Sequence, residues 1–195
     1  MSTYFFGGAF DPVTTAHIGI VRWLLRDEDN HVILAVTDHN YKKPAFTLGQ
    51  RLLMLQEAMG TVGASERQRI EYVVQDRRTW DYFQLRKWQV TESSPVIVVG
   101  ADEMRDLFSG RWHNADALVR TYRFLVMPRD SEGASSTRVR KWLEDAAGEC
   151  VVSADPKLCA RHMWDTGGPG KTDVLCQTFC RAVEFIIENK SKEII

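Results

Sequence analysis

Four short stretches of this 195-residue chain carry the residue types that phosphate chemistry needs. The first is Gly7-Gly8-Ala9-Phe10-Asp11-Pro12-Val13-Thr14-Thr15-Ala16-His17. Two adjacent glycines lack a Cβ, so the backbone there can turn sharply and come close to a ligand. Thr14 or Thr15 suits a helix N-cap, which puts His17 in the first turn, where unpaired N–H groups and the helix dipole favour an anion. The second is Ala134 to Arg140, where Ser135 and Ser136 open a helix, Thr137 follows, and Arg138 and Arg140 fall in its first turns. Hydroxyls and guanidinium groups at a helix start make a second anion site. The third is the polar loop Asp38-His39-Asn40-Tyr41-Lys42-Lys43-Pro44, and the fourth is Gly100-Ala101-Asp102.

These stretches need strands and helices to hold them. Thr3-Tyr4-Phe5-Phe6 reads as a short buried strand, and Ile18 to Leu25 has apolar residues at helical spacing, so the first stretch is a strand-to-helix corner. His31 to Val36 is a continuous apolar run, as expected of a parallel strand buried on both faces. The lysine loop therefore lies at a strand's C-terminal end, the edge at which open α/β sheets bind ligands. Leu48, Arg51, Leu52, Leu55, Ala58 and Met59 predict a helix with Thr47 as N-cap and Gly60 as its stop. Arg69 to Val74 is a third strand, and the basic and aromatic run Arg77 to Tyr82 leads into a helix through Trp88. Pro95 to Val99 is a fourth strand, with Gly100 to Asp102 at its end and a helix beginning at Glu103. Arg111 to Val119, with Trp112 and His113, predicts a further helix, and Tyr122 to Met127 a fifth strand. The expected fold is an α/β, Rossmann-like, doubly wound parallel sheet of about five strands with helices on both faces.

The length suits one domain over residues 1–195, with an irregular insertion at about 148–170 and a last amphipathic helix at about 174–189. A formal charge of −1 provides no basic field, so neither nucleic acid nor an anionic membrane is expected as a partner. No apolar run approaches the roughly 18 residues of a membrane span, and the N-terminus lacks the regions of a signal peptide, so a cytoplasmic location is expected. Cys150, Cys159, Cys176 and Cys180 contain no CxxC pair, so they read as thiols and not as a zinc site. Gly170-Lys171-Thr172 echoes the end of a P-loop, but Asp165 stands where that motif needs glycine.

The opening stretch resembles the T/HxGH signature of the nucleotidyltransferase α/β-phosphodiesterase superfamily, carried by Thr14, Ala16 and His17. Ala134 to Arg140 is similar to its second signature, ISSTxIR. Within the superfamily the chain resembles the nicotinamide or nicotinate mononucleotide adenylyltransferases. Val36 to Lys43 is similar to their PVxDxYxKK segment, with one residue more between aspartate and tyrosine. Gly100-Ala101-Asp102, Trp112 and Phe124 to Arg129 follow their GAD, W and strand-plus-arginine order, and Ala182 to Asn189 resembles their VxxYIxxN helix. Two departures stand out: Ala16 replaces the signature glycine, adding a methyl where ATP approaches, and the loop before Ser135 is shorter than usual.

The resemblance implies attack of a mononucleotide's phosphate on the α-phosphorus of ATP. Such a displacement needs donors and cations that align the reactants and offset growing charge, not a protein nucleophile. It implies His17, Thr14, Lys43 and Arg140 as catalytic groups, and Gly7, Gly8, Ala9, Phe10, Gly100, Asp102, Ser135, Ser136 and Thr137 around ATP. Mg²⁺ would bridge the phosphates with few protein ligands, so no metal-binding residue is assigned. For the pyridine ring the flat partners are Trp112 first and Trp80 second, with Tyr41 beside them. The expected partners are thus ATP and a pyridine mononucleotide, and whether the chain forms a homo-oligomer is open. Plainer readings compete: Trp112 and Trp80 as core packing, Lys42 and Lys43 as a solvated loop, Ser135 and Ser136 as simple caps. Two other functions also remain, a pantetheine-phosphate adenylyltransferase, suggested by Thr14, and a nucleotide-binding regulator without turnover, suggested by Ala16.

Overall fold

The computed structural model describes residues 1–38, 44–86, 88, 94–127 and 136. Expectations for Tyr41, Lys42, Lys43, Ser135, Thr137, Arg138, Arg140, the 148–170 insertion and the 174–189 helix lie outside these residues. Packing divides the chain into two compact units that alternate along the sequence. One comprises Met1–Ala9, Gly19–Lys43 and Val62–Gly133, and the other Phe10–Ile18, Pro44–Thr61 and Ala134–Ile195.

The first unit is built on strands β1 (Thr3–Gly8), β2 (His31–Thr37), β3 (Ile70–Gln75), β4 (Val96–Gly100) and β5 (Phe124–Met127). All four pairings are parallel, in the order β3-β2-β1-β4-β5. Val32 to Val36 are all buried, which explains the unbroken apolar run of β2: an inner parallel strand has no solvent face. The edge strand β5 is more open, with Val126 exposed. Phe5, Ile33, Val73 and Ile97 point into one core with Tyr82, Phe83, Leu107, Leu118 and Tyr122. The Phe5 ring meets that of Phe83 edge-on at 4.9 Å. Each such buried side chain contributes roughly 1.5–3 kcal/mol, enough together to set the strand register.

Among the described residues, the helices that lie wholly in this unit are α3 (Ala64–Arg67), α4 (Thr79–Leu85), α5 (Ala101–Phe108) and α6 (Ala115–Thr121). The sequence pattern does not foresee α3, a single turn, and it places α6 four residues too early. Asn114 adopts the left-handed conformation, φ 54° and ψ 38°, which stops a helix from running through it. Trp112 and His113 therefore lie before α6 and not within it.

The second unit contains the start of α1 (Thr15–Leu24) and all of α2 (Leu48–Met59). Here the expected caps are present. The Thr47 hydroxyl accepts the Gln50 N–H, the Gln50 side chain accepts the Thr47 N–H at 3.0 Å, and Gly60 ends the helix. Such reciprocal capping contributes about 1 kcal/mol and defines where the chain turns into α2. Among the described residues of this unit, Phe10, Val13, Ile18, Met54, Leu55, Ala58 and Met59 are buried apolar ones.

The strand order reverses direction between β1 and β4, which is the switch point at which ligands enter doubly wound sheets. Phe6 pairs with Val98, so Gly8 and Gly100 lie two residues further along on either side of that crevice. The glycines of the opening stretch do not make the turn expected of them. Gly7 and Gly8 end β1 as extended residues, and the turn is made by Phe10, at φ 44°.

Candidate active site

His17 and its neighbours show how the corner is built within the second unit. Phe10 is 2% exposed despite a left-handed backbone that costs a non-glycine residue of order 1 kcal/mol. Its ring packs edge-on against the His17 imidazole, centroids 5.1 Å apart. The next residue, Asp11, is 4% exposed, and both carboxylate oxygens accept main-chain N–H groups, from Ala45 and Phe46, each at 2.9 Å. A buried carboxylate so used ties the entry to α2 onto the turn with charge-assisted bonds.

Thr14 precedes the first residue of α1, and His17 occupies the third helical position. The Thr14 N–H donates to His17 Nδ1 at 2.9 Å, and the Thr14 hydroxyl lies 2.8 Å from the same nitrogen. The Thr14 N–H thus donates to the third residue's side chain, the one arm of a capping box that Glu or Gln usually supplies. A main-chain N–H can only donate, so Nδ1 presents its lone pair and the ring proton belongs on Nε2. Burial pulls the imidazole down to about 4, from an ordinary 6.5. At neutral pH His17 is therefore an uncharged hydrogen-bond donor with a defined tautomer. Ala16 lies on the exposed side of the same turn.

Ser136 brings the second signature to the first. Its hydroxyl donates to the Pro12 carbonyl at 2.8 Å. A hydroxyl has one proton, so in this arrangement Ser136 joins the two signatures and offers a ligand only its lone pairs.

In the first unit, the ends of the strands hold the remaining candidates. A Cβ on Gly7 would stand 3.0 Å from Gln75 Oε1 and 3.1 Å from Phe5 Cε1. Gln75 is itself buried and fixed, donating to the Arg77 carbonyl at 3.1 Å and the Thr79 hydroxyl at 3.2 Å. A side chain at Gly7 would therefore press on the fixed Gln75 amide, which would have to give by a few tenths of an ångström. Ala9 is exposed. Gly100 ends β4 and caps α5, its N–H donating to the Glu103 carboxylate at 2.9 Å. Asp102 sits in the first turn of α5 and pairs with Arg105 at 3.1 Å on an exposed face.

Trp80 and Trp112 are both partly buried against the core of this unit. Trp80 lies in the first turn of α4, and its neighbour Asp81 is 3.7 Å from His113, the residue after Trp112. The sheet thus brings two tryptophans more than thirty residues apart in sequence onto adjoining segments. The buried polar residues Asp11, Gln75 and Arg51 were not singled out by residue type. Asp11, at a turn before proline, had the one available signal, since aspartate commonly accepts turn N–H groups.

Three comparisons bear on this geometry. Residues 5–142 match the family model described as cytidylyltransferase-like. The chain is 32% identical over 183 residues to the probable nicotinate-nucleotide adenylyltransferase of Endomicrobium trichonymphae, covering 78% of this chain and 91% of that protein. Among solved structures, the nicotinic acid mononucleotide adenylyltransferase of Plasmodium falciparum complexed with NaAD superposes with a TM-score of 0.59 at 15% identity, covering 73% of this chain and 83% of that one. The same enzyme complexed with APC gives a TM-score of 0.55 at 14% identity, with the same coverage. These structures share the fold of this chain, a five-stranded parallel α/β sheet. With most of its length matched by the family model and by the curated relative, the chain belongs to the cytidylyltransferase-like family of nucleotidyltransferases, on the side of the nicotinate-nucleotide adenylyltransferases.

Proposed function

We propose that the protein transfers AMP from ATP to a pyridine mononucleotide, nicotinate or nicotinamide mononucleotide, forming the dinucleotide and pyrophosphate. The observation that carries this reading is His17, held neutral with its donor proton on Nε2 at the start of α1, with Ser136 of the second signature bound to the same corner. A phosphate oxygen of the mononucleotide attacks the α-phosphorus, the bond to the β-phosphate oxygen breaks, and pyrophosphate leaves with the electron pair. No proton need be transferred at phosphorus. The chain's task is to align the two phosphates and to meet the charge that moves to the leaving group. His17 Nε2–H and the first N–H groups of α1 supply donors, and Lys43 and Arg140 supply positive charge.

Mg²⁺ bound to the triphosphate would neutralise charge on its oxygens and needs few protein ligands. Asp11, the carboxylate nearest His17 in sequence, already spends both oxygens on main-chain N–H groups, which suits an ion held by phosphates and water. Gly8 and Gly100, at the ends of β1 and β4 on either side of the switch point, are assigned with Gly7 and Asp102 to the adenosine. Trp112, with Trp80 beside its segment, offers the flat face for the pyridine ring.

The test is pyrophosphate release from ATP and Mg²⁺ with each acceptor in turn. Release with nicotinate or nicotinamide mononucleotide is expected, and their rate ratio identifies the acid or the amide as substrate. Release with phosphopantetheine alone would overturn the proposal.

A further inference from the structure

We propose that Thr14 is a positioning residue for His17 and not a ligand of the phosphates: its main-chain N–H and its hydroxyl both donate to Nδ1 and hold the imidazole with its proton on Nε2. The proposal deepens the functional reading above and rests on it for the use made of that Nε2 proton.

The resemblance to the T/HxGH signature implied Thr14 as a catalytic group alongside His17, which for this chemistry means a donor to phosphate. The geometry assigns it otherwise. Thr14 is 1% exposed, while a phosphate donor must present its proton to the ligand. Its hydroxyl lies 2.8 Å from His17 Nδ1 and its main-chain nitrogen 2.9 Å from the same atom. The N–H is an obligate donor, so Nδ1 must accept, and the hydroxyl can engage an accepting nitrogen only by donating its one proton. That proton is therefore used within the protein. Threonine is also β-branched and stiff at χ1, so the hydroxyl has few other directions to take.

The ring has no equivalent second orientation. Rotating the imidazole by 180° would set a carbon against two donors and lose both bonds, and Phe10 packs against the same ring. A donor that must act during the transfer is then oriented before substrate arrives, which is where preorganisation contributes most.

The experiment uses the full chain labelled with ¹⁵N at histidine, at neutral pH, with the His17 signals assigned by their loss in His17→Gln. Nδ1 is expected to resonate as an unprotonated, hydrogen-bonded nitrogen and Nε2 as a protonated one. Thr14→Val keeps the main-chain N–H and the shape but removes the hydroxyl. It is expected to move Nδ1 toward the unbonded position and lower kcat about five- to twentyfold, with KM for ATP within about twofold. Thr14→Ser restores both, and Thr14→Ala takes the place of the valine variant if that one does not fold. A proton found on Nδ1 overturns the proposal. So does a Thr14→Val protein with an unmoved Nδ1 signal and a raised KM for ATP, the mark of a hydroxyl that binds phosphate. If no acceptor yields pyrophosphate, the functional reading fails, and the nitrogen resonances alone decide the role of Thr14.

Discussion

The corner around His17 and the tryptophan segments of the sheet unit are held in opposite ways. In the corner, buried or partly buried polar groups meet named partners at hydrogen-bond distance: Asp11 with Ala45 and Phe46, Thr14 with His17, Ser136 with Pro12. Beside the sheet, Trp80 and Trp112 lean on an apolar core, and the polar contact between their segments is a loose 3.7 Å pair. A hydrogen bond is directional, and stranding one buried partner costs roughly 1–3 kcal/mol. Apolar contact is graded by area and tolerates small shifts. The corner should therefore fail at single atoms, and the tryptophan wall should lose affinity by degrees.

His17→Ala tests the sharp end of this contrast. Its kcat is expected to fall by roughly 10²–10³ with a modest change in KM for ATP, as when one transition-state donor is removed, and unchanged turnover would take His17 out of the chemistry. Asp11→Ala leaves two main-chain N–H groups without their acceptor. We expect a loss of about 2–4 kcal/mol in urea unfolding, with Asp11→Asn intermediate because one of its two acceptors becomes a donor. A loss under about 0.5 kcal/mol would mean that the Ala45–Phe46 tie contributes nothing.

Acid probes the corner differently. His17 titrates at about 4 in the folded chain against 6.5 ordinarily, so between these values the unfolded chain binds the extra proton. Stability is expected to fall as pH drops through that window, by on the order of 2–3 kcal/mol, with no contribution from this group above 6.5. Comparing urea midpoints of the wild type and His17→Gln from pH 7 to pH 4 isolates the effect, and parallel curves would contradict it. The gentlest change is expected at the wall. Trp112→Ala should raise KM for the mononucleotide about five- to tenfold and leave ATP nearly untouched, corresponding to about 1–1.4 kcal/mol of lost ring contact. Equal effects on both substrates would make Trp112 a packing residue.

Much of the framework was legible without coordinates because it depends on local pattern. Val32 to Val36 announce an inner parallel strand, and Thr47 with Gln50 announces the start of α2. The start of α6 was not legible, because Asn114 leaves helical geometry for a left-handed one that no periodicity encodes. The reason for Gly7 was equally hidden. Glycine next to glycine reads as a turn, yet β3, more than sixty residues later, sets the Gln75 amide 3.0 Å from where a Cβ on Gly7 would stand.

By itself the sequence determined the alternation of strands and helices, the two phosphate signatures and the family they belong to, since each is written in neighbouring residues. Only the three-dimensional structure decided what those signature residues do with their protons. Whether a hydroxyl serves a ligand or another side chain depends on which acceptor lies within about 3 Å of it. For Thr14 that acceptor is His17 Nδ1, and for Ser136 it is the Pro12 carbonyl, 124 residues away along the chain.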